Sequence, residues 1–243
     1  MSVCLASILY DPDGELFEQL ESQTNKLFTI FDGVALNTSP LTFAKTKTLL
    51  EDAGATLKDR DTEEGGATTI GRFRRDALEL ALEAETSHIF YCDFDRVLHW
   101  LESHPEELEQ HLSNLQSYDF TTFGRTARAF KSHPAPLTET EIIINNLFER
   151  VSGHSWDVLA AARGMSRRAA DHIVQTSRDD AISNDASWVL LASAQNWKLD
   201  YQEVEGLEYE GAGLANDLKT EIDSWLKRLD IAKLQIEAIQ AFA

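Results

Sequence analysis

Two hydrophobic periods alternate along the first half of the chain: short continuous apolar runs, and longer stretches whose apolar residues recur every three or four positions. Residues 3–10 (VCLASILY) form the first run, stopped by the turn-forming Asp11-Pro12-Asp13-Gly14, and residues 15–28 carry Leu16, Phe17, Leu20 and Leu27 at helical spacing. Residues 27–36 (LFTIFDGVAL) are rich in β-formers and predict a second strand ending at Asn37-Thr38-Ser39-Pro40. A helix over 43–53 closed by Gly54, a short strand over 55–59 and a polar, glycine-containing loop over 60–69 follow. The stretch 70–84 (IGRFRRDALELALEA) is a strong helix former that leads into the apolar run 88–92, then a helix over 99–116 and a strand over 118–123 running into Gly124-Arg125-Thr126.

The second half is less regular. Thr138 with Glu141 three residues later is a capping-box start for a helix over 138–151. Residues 156–163 lead to Gly164, after which 166–175 is helical; Asn184-Asp185 is placed to cap an apolar helix over 186–195, and 198–204 (KLDYQEV) alternates as a strand does. The chain ends in a long helical pattern over 214–241 containing Leu218, Ile222, Trp225, Leu226, Leu229, Leu234 and Ile236, which either caps the core or contacts a second copy in a homodimer. Strand and helix in succession predict an α/β protein with a mainly parallel sheet and a C-terminal helical extension. There is no internal repeat and no low-complexity linker.

At 243 residues, 43% hydrophobic and 26% charged, the chain has the profile of a folded globular domain. The net charge of −19 disfavours nucleic-acid binding, because such a surface repels a polyphosphate backbone; a small anionic substrate needs a metal or local basic residues. The N-terminal MSVCLASILY lacks the basic region and apolar length of a secretory signal, and no later run approaches the roughly 20 apolar residues that span a bilayer. A cytoplasmic location is expected. Cys4 and Cys92 both lie in apolar strand-like runs and read as small buried thiols.

The densest chemistry is His88-Ile89-Phe90-Tyr91-Cys92-Asp93-Phe94-Asp95, an apolar strand ending in two carboxylates one residue apart. Ligands of open α/β sheets bind beyond the carboxyl ends of the strands, and two carboxylates placed there repel each other unless a cation or basic groups offset the charge. Asp93 and Asp95 are therefore candidate ligands of a divalent metal, with a capped turn as the alternative. Upstream, Gly71-Arg72-Phe73-Arg74-Arg75 opens a helix; Arg72 and Arg75 share a face and suit phosphate contacts, or ion pairs with neighbouring acids, while Arg74 points elsewhere.

The order strand, helix, strand, Gly-Arg-x-x-Arg helix, then a strand ending FYCDFDR resembles the nucleotide-binding half of the GT-A-type glycosyltransferases. The resemblance spans about residues 3 to 210 and implies a GT-A-like, Rossmann-type mixed sheet flanked by helices: residues 1–212, with a nucleotide-sugar half to about 123 and an acceptor half from 124, then a C-terminal helix over 213–243. It implies that Asp93 and Asp95 coordinate Mg²⁺ or Mn²⁺ and that Asp93, with Arg72, Arg75 and Arg125, meets a nucleotide-sugar donor. Asp11 and Asp32, matched to the loops after the first two strands, are implied base or ribose contacts, although Asp11-Pro12-Asp13-Gly14 is a turn by its own chemistry, the stronger reading of Asp11, and Asp32 before Gly33 has the same alternative. If the reaction inverts the sugar, Asp185 is the implied base, with a plain N-cap as the alternative. The sequence departs from the family in one respect: no histidine follows His172 to complete a metal shell, and His88, His99, His104, His111 and His133 lack metal-ligand spacing. A sugar-phosphate nucleotidyltransferase and a non-catalytic nucleotide-sugar-binding protein are the competing readings.

Overall fold

The computed structural model describes residues 2–62, 65–209 and 218–243. In chain order the elements are β1 (Val3–Leu9), α1 (Phe17–Ile30), β2 (Gly33–Thr38), α2 (Ala44–Asp52), β3 (Thr56–Asp59), α3 (Ile70–Ala81), β4 (His88–Tyr91), α4 (Phe94–Ser103) and α5 (Pro105–Asn114). There follow β5 (Phe120–Arg125), α6 (Ala127–Ser132), α7 (Ala135–Ser152), β6 (Ala162–Ser166), α8 (Arg167–Thr176), α9 (Asn184–Ser193), β7 (Leu199–Val204) and α10 (Leu218–Gln240). The strands make one sheet in the order β3-β2-β1-β4-β6-β5-β7, with β6 antiparallel to both neighbours. This is the expected mixed α/β sheet with flanking helices and a C-terminal helix.

Both faces of the sheet are covered, which explains why the central strands read as unbroken apolar runs. Cys4, Ala6, Ile89 and Tyr91 face a layer that includes Ala77, Leu78, Phe148 and Trp188. Val3, Leu5, Phe90 and Cys92 face Leu20, Leu27, Leu98 and Trp100 on the other side. Cys4 and Cys92 are buried free thiols, as expected from their setting.

The differences from the sequence pattern have local causes. Residues 27–30 are helical, not strand, because Leu20 and Leu27 are two turns apart and both fully buried beneath α1. Pro105, which cannot sit inside a helix, divides 99–116 into α4 and α5. α7 begins at Ala135 behind Pro134, so Thr138 is not its cap, and Glu141 points instead to a buried arginine, Arg125. β6 is hidden in the sequence by Arg163-Gly164; a Cβ at Gly164 would stand 2.1 Å from Leu115, so only glycine lets that side chain lie across the strand. In α10 the second half docks through Ile231, Ala232, Gln235 and Ile239, whereas Leu218, Ile222, Leu226 and Leu229 are exposed. Residues 63–64 of the expected loop and 214–217 of the expected helix lie outside the described residues.

If 27–30 belong to α1, Leu27→Ala removes a core contact and Thr29→Ala does not. Urea denaturation is expected to show a loss of about 2–5 kcal/mol for the first and within about 0.5 kcal/mol of no change for the second; equal losses would contradict the helical assignment.

Candidate active site at the carboxyl edge of the sheet

Asp93 follows β4 and stands at the N-cap of α4, but its carboxylate does not cap the helix. Its Oδ1 accepts from the Tyr91 hydroxyl at 2.7 Å and its Oδ2 from Arg74 Nη2 at 2.8 Å. Arg74 is buried, and its other arm donates to Asp185 Oδ1 at 2.7 Å and Asn184 Oδ1 at 3.0 Å. One guanidinium thus links the end of β4 to the start of α9, the fork geometry that suits arginine to two acceptors.

α3 reaches this position by a backbone-to-backbone approach. A Cβ on Gly71 would lie 2.2 Å from the Ala181 carbonyl oxygen, and Arg72 N donates to Asp180 O at 3.1 Å. Arg72 pairs with Asp61, while Arg75 pairs with Asp180 and donates to the Asp179 carbonyl. Of the two readings open for these arginines, phosphate contacts and ion pairs with neighbouring acids, the structure places them in the second: they anchor α3 on its outer face, and neither lines the cavities around Asp93. Arg74, expected to point away, is the one that enters. The i, i+3 spacing correctly placed Arg72 and Arg75 together, but only packing decides which helix face turns inward.

Asp185 is 7% exposed. Burial pushes its carboxyl up to about 6 against the opposing charges of Arg74 and Arg163. It is not the N-cap of α9, a position held by Ser183. Arg163, wholly buried, donates to the carbonyls of Ala162, Val158 and Asp185, and burial lowers it to about 10. Arg125 closes the far side: its Nε donates to Asp157 at 2.8 Å and its Nη2 to Glu141 at 2.5 Å. Burial raises Glu141 to about 7 although Arg125 opposes it, and Asp157 is held low by Arg125 and Asn145 despite its burial.

Two cavities meet at Asp93. The first, about 310 Å³, is lined by Arg74, Asp93, Arg125 and Asp185, with Arg228 and Gln235 of α10. The second, about 500 Å³, is lined by Tyr10, Asp11, Asp13, Glu15, Asp93 and Asp95. Asp11 therefore lies at the expected edge, though its oxygens already accept from Leu16 N and Thr46 Oγ1. Asp32 does not: because α1 runs to Ile30 and β2 starts only at Gly33, Asp32 sits at the amino ends of the strands, accepting from Val3 N at 2.8 Å. Beside β6, Ala161 lines the first cavity with φ 51°, the one non-glycine residue with positive φ among the described residues. Such a conformation costs on the order of 1–3 kcal/mol and is held by its surroundings.

For a metal, Asp93 and Asp95 are the candidate ligands, and no group of three His, Cys, Asp or Glu side chains is gathered among the described residues. Each Asp93 oxygen accepts one bond and keeps a second lone pair, and Asp95 in the first turn of α4 is 47% exposed. Such a sparse oxygen set fits Mg²⁺ or Mn²⁺ that takes the rest of its shell from phosphate oxygens and water. His133 shares the first cavity with Asp93 without any sequence signal; burial lowers it to about 4, so it is a neutral imidazole, with Nε2 3.1 Å from Leu207 O. Tyr91, Glu141, Asp157 and Arg74 were likewise not signalled as site residues. Arg228 and Gln235 of the last helix carried no sequence signal either, because the apolar residues read along that helix include Leu218, Ile222, Leu226 and Leu229, which the structure leaves exposed.

The mixed seven-stranded sheet flanked by helices, with a C-terminal helix, is the GT-A-like fold. Solved structures carry the same architecture. Glucosyl-3-phosphoglycerate synthase from Mycobacterium tuberculosis, in complex with Mn²⁺, UDP-glucose and phosphoglyceric acid, matches with a TM-score of 0.62 at 11% identity over 98% of this chain and 80% of its own. The same enzyme with Mg²⁺ and UDP matches with a TM-score of 0.56 at 10% identity over 98% and 79%. No protein-family model matches the chain, and neither does any curated protein sequence. At this identity the likeness establishes the fold. No helix among the described residues is long and apolar enough to cross a membrane.

Arg74→Met leaves Asp93 and Asp185 without their shared cation and is expected to cost about 3–5 kcal/mol in chemical denaturation. Arg72→Met, at a partly exposed pair, is expected to cost under about 1 kcal/mol. Comparable losses would remove Arg74 from its central place.

Proposed function

We propose that the protein is a metal-dependent glycosyltransferase that moves a sugar from a nucleotide-diphosphate sugar to an acceptor hydroxyl. The observation that carries this reading is Asp93, shared by an acidic cavity and an arginine-lined cavity at the carboxyl edge of the sheet. The donor diphosphate lies over Asp93 and Asp95, with the nucleoside in the acidic cavity beside Tyr10 and Asp11. The acceptor enters the other cavity. The neighbouring fold's complexes with UDP, Mn²⁺ and Mg²⁺ support that assignment.

Asp93 and Asp95 would hold the divalent cation, which when bound offsets negative charge on the leaving diphosphate. Tyr91 and Arg74 fix the Asp93 carboxylate in one orientation. If the reaction inverts, Asp185 takes the acceptor proton, and its raised pKa places it within the range where a carboxylate serves as a base near neutral pH. The acidic Asp11-Pro12-Asp13-Gly14 turn argues against a nucleotidyltransferase, which needs a basic, glycine-rich loop for a triphosphate there.

Calorimetry of Mn²⁺ with a nucleoside diphosphate tests the site. Asp93→Ala is expected to abolish the metal-dependent part of binding, and Tyr91→Phe to weaken it about 10–100-fold by freeing Asp93; unchanged affinity in Asp93→Ala would sink the proposal. A pH series of donor turnover is expected to lose activity as pH falls through about 6, because protonated Asp185 cannot accept a proton. A profile flat from pH 5 to 8 removes Asp185 from the chemistry; donor binding without transfer to any acceptor or water marks a binding protein.

A further inference from the structure

Arg125 belongs to two cavities. Besides the one it shares with Asp93, it lines a separate hollow of about 230 Å³ walled by Asn145, Asn146, Glu149, Trp156, Tyr201 and Glu203. Three elements build this hollow. α7 gives Asn145 and Glu149 one helical turn apart, and the connection from α7 to β6 gives Trp156. The edge strand β7 gives Tyr201 and Glu203, which share a face because side chains alternate along a strand. Gly124 makes room for them: a Cβ there would stand 2.3 Å from the Tyr201 hydroxyl oxygen and 2.8 Å from the Asp157 carbonyl oxygen.

One wall is aromatic. The Trp156 and Tyr201 rings stack with centroids 5.4 Å apart and 5° between their planes, and His154 stacks on Trp156 at 4.2 Å and 14°. Trp156 and Tyr201 are both half-buried and both line the hollow, so part of each ring is open to it. The polar groups beside them have capacity to spare. The Tyr201 hydroxyl accepts from Asp157 N at 3.1 Å and donates to no group among the described residues. The exposed side chains of Asn146 and Glu203 make no hydrogen bond or ion pair among the described residues.

Charge and ring geometry narrow the ligand. Glu149, Asp157 and Glu203 line the hollow against Arg125 alone, whose guanidinium donates to Asp157 and Glu141 and lies over the Phe130 ring at 4.6 Å. A phosphate or carboxylate is repelled there. A cage for an organic cation needs ring faces that converge, whereas Trp156 and Tyr201 are parallel. What fits is a neutral molecule with a flat apolar face and hydroxyls around its rim.

We propose that this hollow is a binding site for a neutral saccharide, separate from the cavities around Asp93. The C–H face of one sugar ring packs on the electron-rich faces of Trp156 and Tyr201, and its hydroxyls pair with Asn146, Glu203 and the Tyr201 hydroxyl. At about 230 Å³ the hollow is smaller than the roughly 300 Å³ at which drug-sized pockets begin, so it seats one unit of a chain. The site needs neither nucleotide nor metal.

Calorimetry on the full chain, without Mn²⁺ or nucleotide, tests this with maltose, cellobiose and mannobiose, and with glucose 6-phosphate and choline as charged counterparts. At least one disaccharide is expected to bind in the millimolar range, and both charged probes at least about tenfold more weakly. Trp156→Ala is expected to abolish disaccharide binding. Asn146→Ala and Glu203→Gln, at exposed positions, are expected to weaken it about three- to tenfold, the loss of one hydrogen bond each. Thermal unfolding checks that the variants fold, and the two exposed positions decide the matter if Trp156→Ala does not. No disaccharide binding up to tens of millimolar, binding of choline or glucose 6-phosphate as tight as that of the sugars, or unchanged affinity in both Asn146→Ala and Glu203→Gln would each overturn the site. A separate titration in which Mn²⁺ and nucleoside diphosphate fail to bind overturns the donor reading and leaves this one standing.

Discussion

The Arg74 guanidinium is the hinge of the candidate site. It is a buried cation between two carboxylates that belong to different elements, Asp93 after β4 and Asp185 in α9. Taking these charges out of water is expensive, and the cost is recovered only because both arms of the fork meet acceptors in good geometry. That requirement dictates the depth to which α3 must dock, and Gly71 permits it by letting the helix start press on the backbone of residues 179–181. Asn184 and Tyr91 complete the network, so neither carboxylate is free to rotate.

Charge is sorted on the two sides of Asp93. Only acidic charges, from the turn after β1 and the start of α4, line one cavity, while arginines from α3, α4, β5 and α10 line the other together with Asp93, Glu141 and Asp185. Such a division makes a cation-carrying ligand and an anionic ligand prefer opposite sides of one carboxylate. The global field of a chain of net charge −19 repels anions, but buried arginines act at short range where screening is weak.

The reversal of β6 has a direct part in this arrangement. A strand antiparallel to β4 and β5 enters the sheet at the carboxyl edge, so the segment before it, including the left-handed Ala161, forms part of the cavity wall. An all-parallel sheet would have carried that connection to the opposite edge. The same segment supplies Asp157, which holds Arg125.

Period and turn chemistry alone determined most of the elements, since a strand buried on both faces and an amphipathic helix leave different local signatures. The run FYCDFD, ending a buried strand in two carboxylates, was legible for the same reason. Positions that depend on distant packing were not: which face of α3 turns inward, where α1 yields to β2, and hence whether Asp32 lies at the carboxyl or the amino edge. A one-residue change of phase turns a side chain by about 100° on a helix, so spacing puts Arg72 and Arg75 together but cannot say what they face. Nor does local sequence mark β6, Glu141 or Asp157 as neighbours of Arg125, because ion pairs across 16 and 32 residues exist only once the sheet has brought them together. The tertiary structure thus decided the membership of the candidate site, for burial strengthens electrostatic interactions and rewards only those charges that arrive with partners.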